Sequence, residues 1–258
     1  MPEADLRLLT DAARAAGEVA MGFFRADPDR WDKPGGQGPV TEADLAVDNL
    51  LRETLTSARP GYGWLSEETP DHTDRLDRER VFIVDPIDGT RAFIDGGETW
   101  SHSLAIAEAG RIVAAVVFLP VRDRLYAAHL GGGATLNGAP MGVSTRNGIA
   151  GASVLAAKPI LEPYQWIDAE VPEVVRKFRP SLAYRMAATA EGRYDAMMTL
   201  RATWEWDVAA GTLLVEEAGG TVTDRKGAPV RFNNEVPQLN GIVAGGRAVQ
   251  NGLIDRLL

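Results

Sequence analysis

Cysteine is absent from this chain of 258 residues. Its absence excludes disulfide bonds, thiolate metal sites and cysteine nucleophiles, and with them three families of mechanism. Histidine is scarce as well, since only His72, His102 and His129 occur, and they are scattered without the spacing of a metal site. No chemistry is assigned to these three histidines.

The sequence also lacks long apolar runs. No stretch approaches the roughly 18 to 20 uninterrupted apolar residues that span a membrane, and the first residues, Met-Pro-Glu-Ala-Asp, are acidic where a signal peptide would be basic. A cytoplasmic protein without membrane contacts is therefore expected. Hydrophobic residues still make up 45% of the chain and charged residues 24%, which predicts a sizeable core in one large domain or two fused halves.

Basic residues are outnumbered by acidic ones, 27 against 36, and the net charge is −9. This balance argues against direct binding of nucleic acid, because binding to a phosphate backbone draws on clustered Lys and Arg. A pocket of carboxylates also repels a phosphate ester until divalent cations invert the local field. An acidic enzyme that acts on phosphate would therefore need bound metal.

Hydrophobic periodicity and turn residues divide the chain into helices and strands. Helices are predicted over residues 5–25, 42–57, 172–178, 182–191 and 207–218, and strands over 62–65, 81–84, 103–109, 112–119, 125–129, 153–157 and 195–200. The breaker-rich residues 33–39 are predicted to form a flexible loop and a candidate lid. Turn-rich segments around Pro140 predict a boundary between an N-terminal half, 1–139, and a C-terminal half, 140–258.

The most informative segment ends at Thr90 and reads Val-Phe-Ile-Val-Asp-Pro-Ile-Asp-Gly-Thr. A buried strand is predicted to deliver Asp85 and Asp88 into a tight turn. Because hard divalent cations prefer oxygen ligands, these carboxylates and the carbonyl of Ile87 form a plausible magnesium site. The amides of Gly89 and Thr90 would face a bound phosphate if a helical turn begins there. Taken alone, the same residues are explained equally by local turn hydrogen bonds.

Three further acids are candidates, and each has a structural explanation beside the functional one. Glu67 follows a short apolar run and is explained by a solvated loop, whereas Asp207, at the predicted start of a helix, is explained by N-terminal capping. Asp44 has the spacing of a capping box with Thr41. A carboxylate near a threonine hydroxyl can also orient and help deprotonate a water on a metal, and Thr90 is the hydroxyl that we pair with Asp44.

Two motifs resemble those of the inositol monophosphatase-like family of lithium-sensitive, Mg-dependent phosphatases, which includes bisphosphate nucleotidases. They are Asp-Pro-Ile-Asp-Gly-Thr at residues 85–90 and Trp-Asp-Val-Ala-Ala-Gly at residues 206–211. The resemblance spans nearly the whole chain and implies an α/β fold, a layered α/β/α/β/α sandwich. It also implies a homodimer, two or three Mg²⁺ ions and inhibition by Li⁺.

The resemblance further assigns roles to residues. The metal ligands would be Glu67, Asp85, Ile87 through its carbonyl, Asp88 and Asp207. The catalytic residues would be Asp44, Thr90 and Glu67. The residues in contact with the substrate would be Asp88, Gly89, Thr90, Arg185 and Asp207. One ion would activate water for in-line attack on phosphorus while another stabilises the leaving oxygen.

Local details favour the bisphosphate nucleotidase branch of the family. The continuation Thr-Arg-Ala-Phe-Ile after Gly89 and the triplet Glu-Trp-Asp ending at Asp207 resemble that branch. Arg185 aligns with a basic position of nucleotidases and would contact a second phosphate or the nucleotide, and the alternative is that it is a solvated helix residue. The leading hypothesis is a 3′-phosphatase of adenosine 3′,5′-bisphosphate. The alternatives are inositol-1-monophosphatase, histidinol phosphatase, and a non-catalytic partner of RNA or of the transcription machinery.

Overall fold

Five layers of helices and sheets make up the part of the chain that the computed structural model describes, residues 2–33 and 38–258. The helices are α1 (Pro2–Phe23), α2 (Glu42–Ala58), α3 (Thr90–Ile94), α4 (Leu182–Ala190), α5 (Glu205–Glu217) and α6 (Arg247–Ile254). Short 3-10 turns cover Thr73–Asp77, Pro120–Arg122, Lys158–Leu161, Pro163–Gln165 and Ile167–Ala169.

Within residues 2–33 and 38–258, the strands form two large sheets and two small ribbons. They are β1 (Arg30–Asp32), β2 (Pro39–Thr41), β3 (Gly63–Ser66), β4 (Arg80–Asp88), β5 (Ser101–Glu108), β6 (Arg111–Leu119), β7 (Arg124–His129), β8 (Ala134–Leu136), β9 (Ala139–Pro140), β10 (Ala152–Leu155), β11 (Val174–Lys177), β12 (Ala196–Thr199), β13 (Thr203–Trp204), β14 (Thr221–Thr223), β15 (Gln238–Leu239) and β16 (Ile242–Gly245). The first large sheet has the order β3-β4-β5-β6-β7-β8-β9, and only β3 and β4 in it are parallel. The second has the order β11-β10-β12-β16-β14.

The seven-stranded sheet is covered on both faces, which explains the continuous apolar runs 81–84, 104–107 and 112–119 in its central strands. Side chains alternate between faces along a strand. In β4, Phe82 and Val84 pack with α1 and α2, whereas Val81 and Ile83 pack with α4 and α5. Asp85 continues the second set and therefore faces the same side as α5.

Helices α4 and α5 form the middle layer and contact both large sheets. They approach each other closely at Gly211, where an added Cβ atom would lie 2.3 Å from the Cβ atom of Met186. On the far side, α6 packs on the five-stranded sheet through Val249 and Leu253. The predicted α/β/α/β/α sandwich is confirmed. The division at residues 139 and 140 into two domains stays a prediction, although the last strand of the seven-stranded sheet ends at Pro140.

Several predicted elements are confirmed with shifted ends, and two predictions are wrong. Residues 172–178 do not form a helix: Val174–Lys177 is the edge strand β11, which pairs in parallel with β10. Its two adjacent β-branched valines favour a strand. The predicted turn after Val84 is also wrong, because β4 continues to Asp88. Residues 34–37, the centre of the candidate lid, lie outside the described residues.

Within residues 2–33 and 38–258, no helix combines the length and the apolar character needed to cross a bilayer.

Candidate active site

Asp85 and Asp88 lie at the end of β4, where its ladder with β5 is irregular. Asp85 pairs with Ser103 and Asp88 with Ser101, and the register shifts between these two pairs. Such a bulge bends the strand and changes the direction of its side chains. Gly89 follows with a φ of 98°, a left-handed conformation that glycine adopts without strain, and α3 begins directly after it. The predicted helical turn at Thr90 is therefore confirmed.

Asp207 reaches the two acids of β4 from the first turn of α5. The hydroxyl of Ser103, the ladder partner of Asp85, donates a hydrogen bond of 2.9 Å to the carbonyl of Trp206 and so holds the start of α5 against the sheet. The prediction that Asp207 caps this helix is wrong, because the N-cap residue is Trp204, which makes no side-chain capping bond. Asp207 is free for another role.

Together, Asp85, Asp88 and Asp207 form what we call the acidic cluster. One carboxylate oxygen of each residue lies within 4.8 Å of those of the other two. Burial raises the pKa values of Asp85 and Asp207 well above their ordinary range, and the charges of neighbouring acids raise them further. Burial also raises the pKa of Asp88 to about 6. Three carboxylates held together in this way repel one another unless a cation joins them.

The acidic cluster fits a hard divalent cation. Its donors are carboxylate oxygens, which Mg²⁺ prefers. Asp85 Oδ1 is buried without a hydrogen-bond partner among the described residues, and a buried polar atom of this kind calls for an explanation such as an ion. In Asp88, by contrast, Oδ2 accepts bonds of 2.6 Å from the Ser181 hydroxyl and from the Ala183 amide, which orients the carboxylate.

Glu67 lies beside the acidic cluster but bonds to a lysine in this structure. The Lys33 ammonium donates hydrogen bonds of 2.7 Å to Glu67 Oε1 and to Glu68 Oε1. The charge of Glu67 nevertheless contributes to the raised pKa of Asp85. Burial raises the pKa of Glu68 to about 7, with Glu67 adding to the shift. The solvated-loop explanation is therefore wrong for Glu67, whose side chain is only 23% exposed and forms an ion pair with Lys33.

Asp44 and Thr90 are in contact, as the pairing predicted. Thr90 Oγ1 lies 3.2 Å from Asp44 Oδ1 and 3.2 Å from the carbonyl of Ile87. The other carboxylate oxygen, Asp44 Oδ2, accepts bonds from the backbone and the hydroxyl of Thr41, so the predicted capping box is also confirmed. Burial raises the pKa of Asp44 to about 6, against the opposing effect of the bonds from Thr41.

A cleft of about 690 Å³ opens beside these residues, with Glu67, Gly89 and Thr90 in its wall. Arg185, on α4, lines an adjoining cavity. It is not the solvated helix residue that was one expectation, because only 6% of its surface is exposed. Its Nε donates to the carbonyl of Arg179, and its guanidinium lies 4.6 Å from the centre of the Phe178 ring. Burial lowers the pKa of Arg185 to about 10.

Sequence reasoning missed Ser181, which is buried and links the two halves of the site. Its hydroxyl donates to Asp88 and accepts from the amide of Tyr184, so one side chain both caps α4 and orients a member of the acidic cluster. A serine directly before a helical segment is a recognisable N-cap signal. Its contact with Asp88 spans 93 residues and has no such signal.

Known proteins share both the sequence pattern and the fold of this chain. It matches the model of the inositol monophosphatase family over residues 2–257. It is 38% identical to an inositol-1-monophosphatase of Rhizobium meliloti, with 86% of each chain covered. It is 33% identical to the Nus factor SuhB of Pseudomonas aeruginosa, over 93% of this chain and 90% of that protein. An IMPase structure from Thermotoga maritima superposes with a TM-score of 0.84 at 25% identity, covering 99% of this chain and 96% of the other.

Proposed function

The chain belongs to the inositol monophosphatase family of phosphoric monoester hydrolases, which in general depend on Mg²⁺, and we propose that it hydrolyses a small phosphate ester at the acidic cluster. The observation that carries the proposal is the convergence of three carboxylates, one of which has a buried oxygen without a hydrogen-bond partner among the described residues. A phosphate ester would be repelled by these charges unless cations neutralised them.

The residues proposed to hold Mg²⁺ are Asp85, Asp88, Asp207, the carbonyl of Ile87, and Glu67. When bound, the metal supplies charge neutralisation and Lewis-acid polarisation of water and phosphate oxygens. Glu67 would join the other ligands by giving up its contact with Lys33. The ammonium of Lys33 would then retain Glu68 as a partner.

Asp44 and Thr90 are proposed to hold and move the proton of the attacking water. Thr90 Oγ1 can donate to Asp44 Oδ1 and accept from a water in the cleft, which aligns the lone pair of that water toward phosphorus. The new P–O bond forms as the ester P–O bond breaks, and the alcohol leaves with a proton. A buried carboxylate with a raised pKa suits a transient proton acceptor near neutral pH. The amides of Gly89 and Thr90 are proposed to bind the phosphate oxygens.

For the substrate, we propose adenosine 3′,5′-bisphosphate, with hydrolysis of its 3′-phosphate. The support is the sequence around Thr90 and Asp207 and the position of the largely buried Arg185 beside the cleft. Inositol 1-phosphate is the alternative, because the Rhizobium meliloti relative is named for that activity. Histidinol phosphate is the third candidate.

The test compares Mg²⁺-dependent phosphate release from adenosine 3′,5′-bisphosphate, inositol 1-phosphate and histidinol phosphate, with Asp88→Ala as the inactive control. We expect the highest kcat/KM for the nucleotide and loss of release in the variant. Preference for either of the other two esters would overturn the proposed substrate but would leave the proposed phosphatase chemistry intact. Absence of Mg²⁺-dependent release from all three, under conditions where the protein is folded, would count against the phosphatase itself.

A role as a partner of the transcription machinery is the second candidate, because one relative is named a Nus factor. Recovery of RNA polymerase or ribosomal factors on this protein, with equal recovery on Asp88→Ala, would favour that role. The predicted homodimer and the cytoplasmic location remain proposals, and analytical ultracentrifugation tests the first.

A further inference from the structure

The cleft beside the acidic cluster continues into a second cavity of about 500 Å³. The two cavities share four wall residues: Arg91, Phe178, Pro180 and Arg201. Phe178 is 49% exposed and presents its ring at this junction. A molecule whose phosphate lies at Gly89 and Thr90 therefore has room to extend past an apolar ring into the second cavity.

The second cavity is lined by three arginines, Arg91, Arg185 and Arg201. Arg185 is the buried member of the three, with 6% of its surface exposed. Within residues 2–33 and 38–258 it has no carboxylate within 4 Å, whereas the other buried arginine, Arg75, pairs with Asp71. Arg185 uses Nε for the carbonyl of Arg179, and its two terminal nitrogens make no hydrogen bond to a described residue. A buried guanidinium without an acidic partner, beside two further arginines in the same cavity, calls for an explanation.

A buried charge without a counter-charge costs free energy, and like charges nearby add to that cost. Burial lowers the pKa of Arg185, the charges of Asp88 and Asp207 oppose this shift, and the charge of Arg201 adds to it. If cations at the acidic cluster neutralise Asp88 and Asp207, these carboxylates no longer offset the positive charge of the arginines. The missing counter-charge would then be supplied by a ligand.

We propose that this second cavity is a subsite for a second anionic group of the substrate, bound by Arg91, Arg185 and Arg201. The substrate class is then a small molecule that carries the scissile phosphate ester and, at its other end, another phosphate or a carboxylate. The planar guanidinium fork matches both of these groups. This inference rests on the proposed phosphatase function and adds two residues, Arg91 and Arg201, to the determinants of specificity.

The test uses two probes that differ only in the second anion, adenosine 3′-phosphate and adenosine 3′,5′-bisphosphate. Their kcat/KM values are compared in the wild type, in Arg91→Gln, in Arg201→Gln and in Arg52→Gln. Arg91 and Arg201 are exposed, so their replacement is expected to leave the fold intact, and Arg52 is an exposed arginine of α2 outside both cavities. The wild type and Arg52→Gln should prefer the bisphosphate, and each cavity variant should lose roughly 10- to 100-fold of that preference.

Calorimetric titration of both probes into Asp44→Asn in the presence of Mg²⁺ separates binding from turnover. Tighter binding of the bisphosphate, lost on adding Arg201→Gln, would support the subsite even if no probe were hydrolysed and the proposed function fell. Two results would overturn the proposed subsite: equal kcat/KM for the two probes in the wild type, or a preference that is unchanged in both Arg91→Gln and Arg201→Gln. Neither result would contradict the proposed phosphatase activity.

Discussion

Replacement of Asp207 by asparagine removes one charge from the acidic cluster with almost no change in shape. The carboxylate oxygens concerned lie within 4.8 Å of one another. At an effective dielectric constant of about 20, two unit charges at this distance repel by about 3.5 kcal/mol. Part of this repulsion is already relieved, because burial and the neighbouring charges raise the pKa values of Asp85 and Asp207 and so favour their protonated forms. In EDTA we therefore expect Asp207→Asn to increase the free energy of unfolding by only about 1 to 3 kcal/mol.

Thermal denaturation with and without Mg²⁺ measures this effect. For a chain of this size, a gain of that magnitude raises the Tm by a few degrees. Mg²⁺ at a hundredfold excess over its Kd should stabilise the wild type by about 2.7 kcal/mol, and this gain should largely disappear in Asp207→Asn. Phosphate release should fall by about a hundredfold or more, because the variant lacks a metal ligand. Asp11→Asn, an exposed change of the same kind on α1, should alter none of these quantities.

A lower Tm for Asp207→Asn in EDTA would refute the reasoning, since it would mean that the carboxylate stabilises the metal-free fold. An undiminished Mg²⁺-induced rise in Tm would place the metal elsewhere.

Four other predictions concern the surrounding residues and the proposed metals. Thr90→Ala should lower kcat by about a hundredfold or more, whereas Thr90→Ser should retain most activity because it keeps the hydroxyl beside Asp44, as steady-state kinetics would show. Ser181→Ala should cost about 1 to 2 kcal/mol in chemical denaturation through the lost helix cap, and should weaken Mg²⁺ binding measured by calorimetry because Asp88 loses a donor. Burial lowers the pKa of His102 to about 4, so this histidine is protonated at a higher pH in the unfolded state than in the folded state. As the pH falls from 6.5 to 4, the free energy of unfolding should therefore decrease by about 3 kcal/mol relative to His102→Gln measured in parallel. Millimolar Li⁺ should inhibit Mg²⁺-dependent turnover, and unchanged rates across that range would contradict the site proposed from family resemblance.

Much of the fold was predictable because it is encoded locally. The continuous apolar run 112–119 marks a strand covered on both faces, and Ala109 and Gly110 form the short turn between β5 and β6. Helix α5 ends at Glu217, one residue before the predicted end, and Gly219 follows with a φ of 83°, the left-handed conformation typical after a helix. In each case the residues that decide the structure are close together along the chain.

The predictions that were wrong depend on residues that lie far apart along the chain. Residues 174–177 form a strand because Ala152 and its neighbours pair with them, and that partner cannot be identified from the segment itself. The strand β4 runs on through Asp88 because β5 continues beside it. Local patterns understate strand length where a neighbouring strand supplies the hydrogen bonds.

The sequence by itself determined the chemistry of this protein: the carboxylates at positions 85, 88 and 207, a threonine poised after Gly89, and the absence of thiol chemistry, since these are matters of residue type and motif. Tertiary structure alone decided which charges meet. The contact of Ser181 with Asp88, the pairing of Lys33 with Glu67, and the gathering of Arg91, Arg185 and Arg201 at one cavity join residues far apart in the chain. Electrostatic interactions depend on distance in space and on burial, and both come into being only when the layers pack.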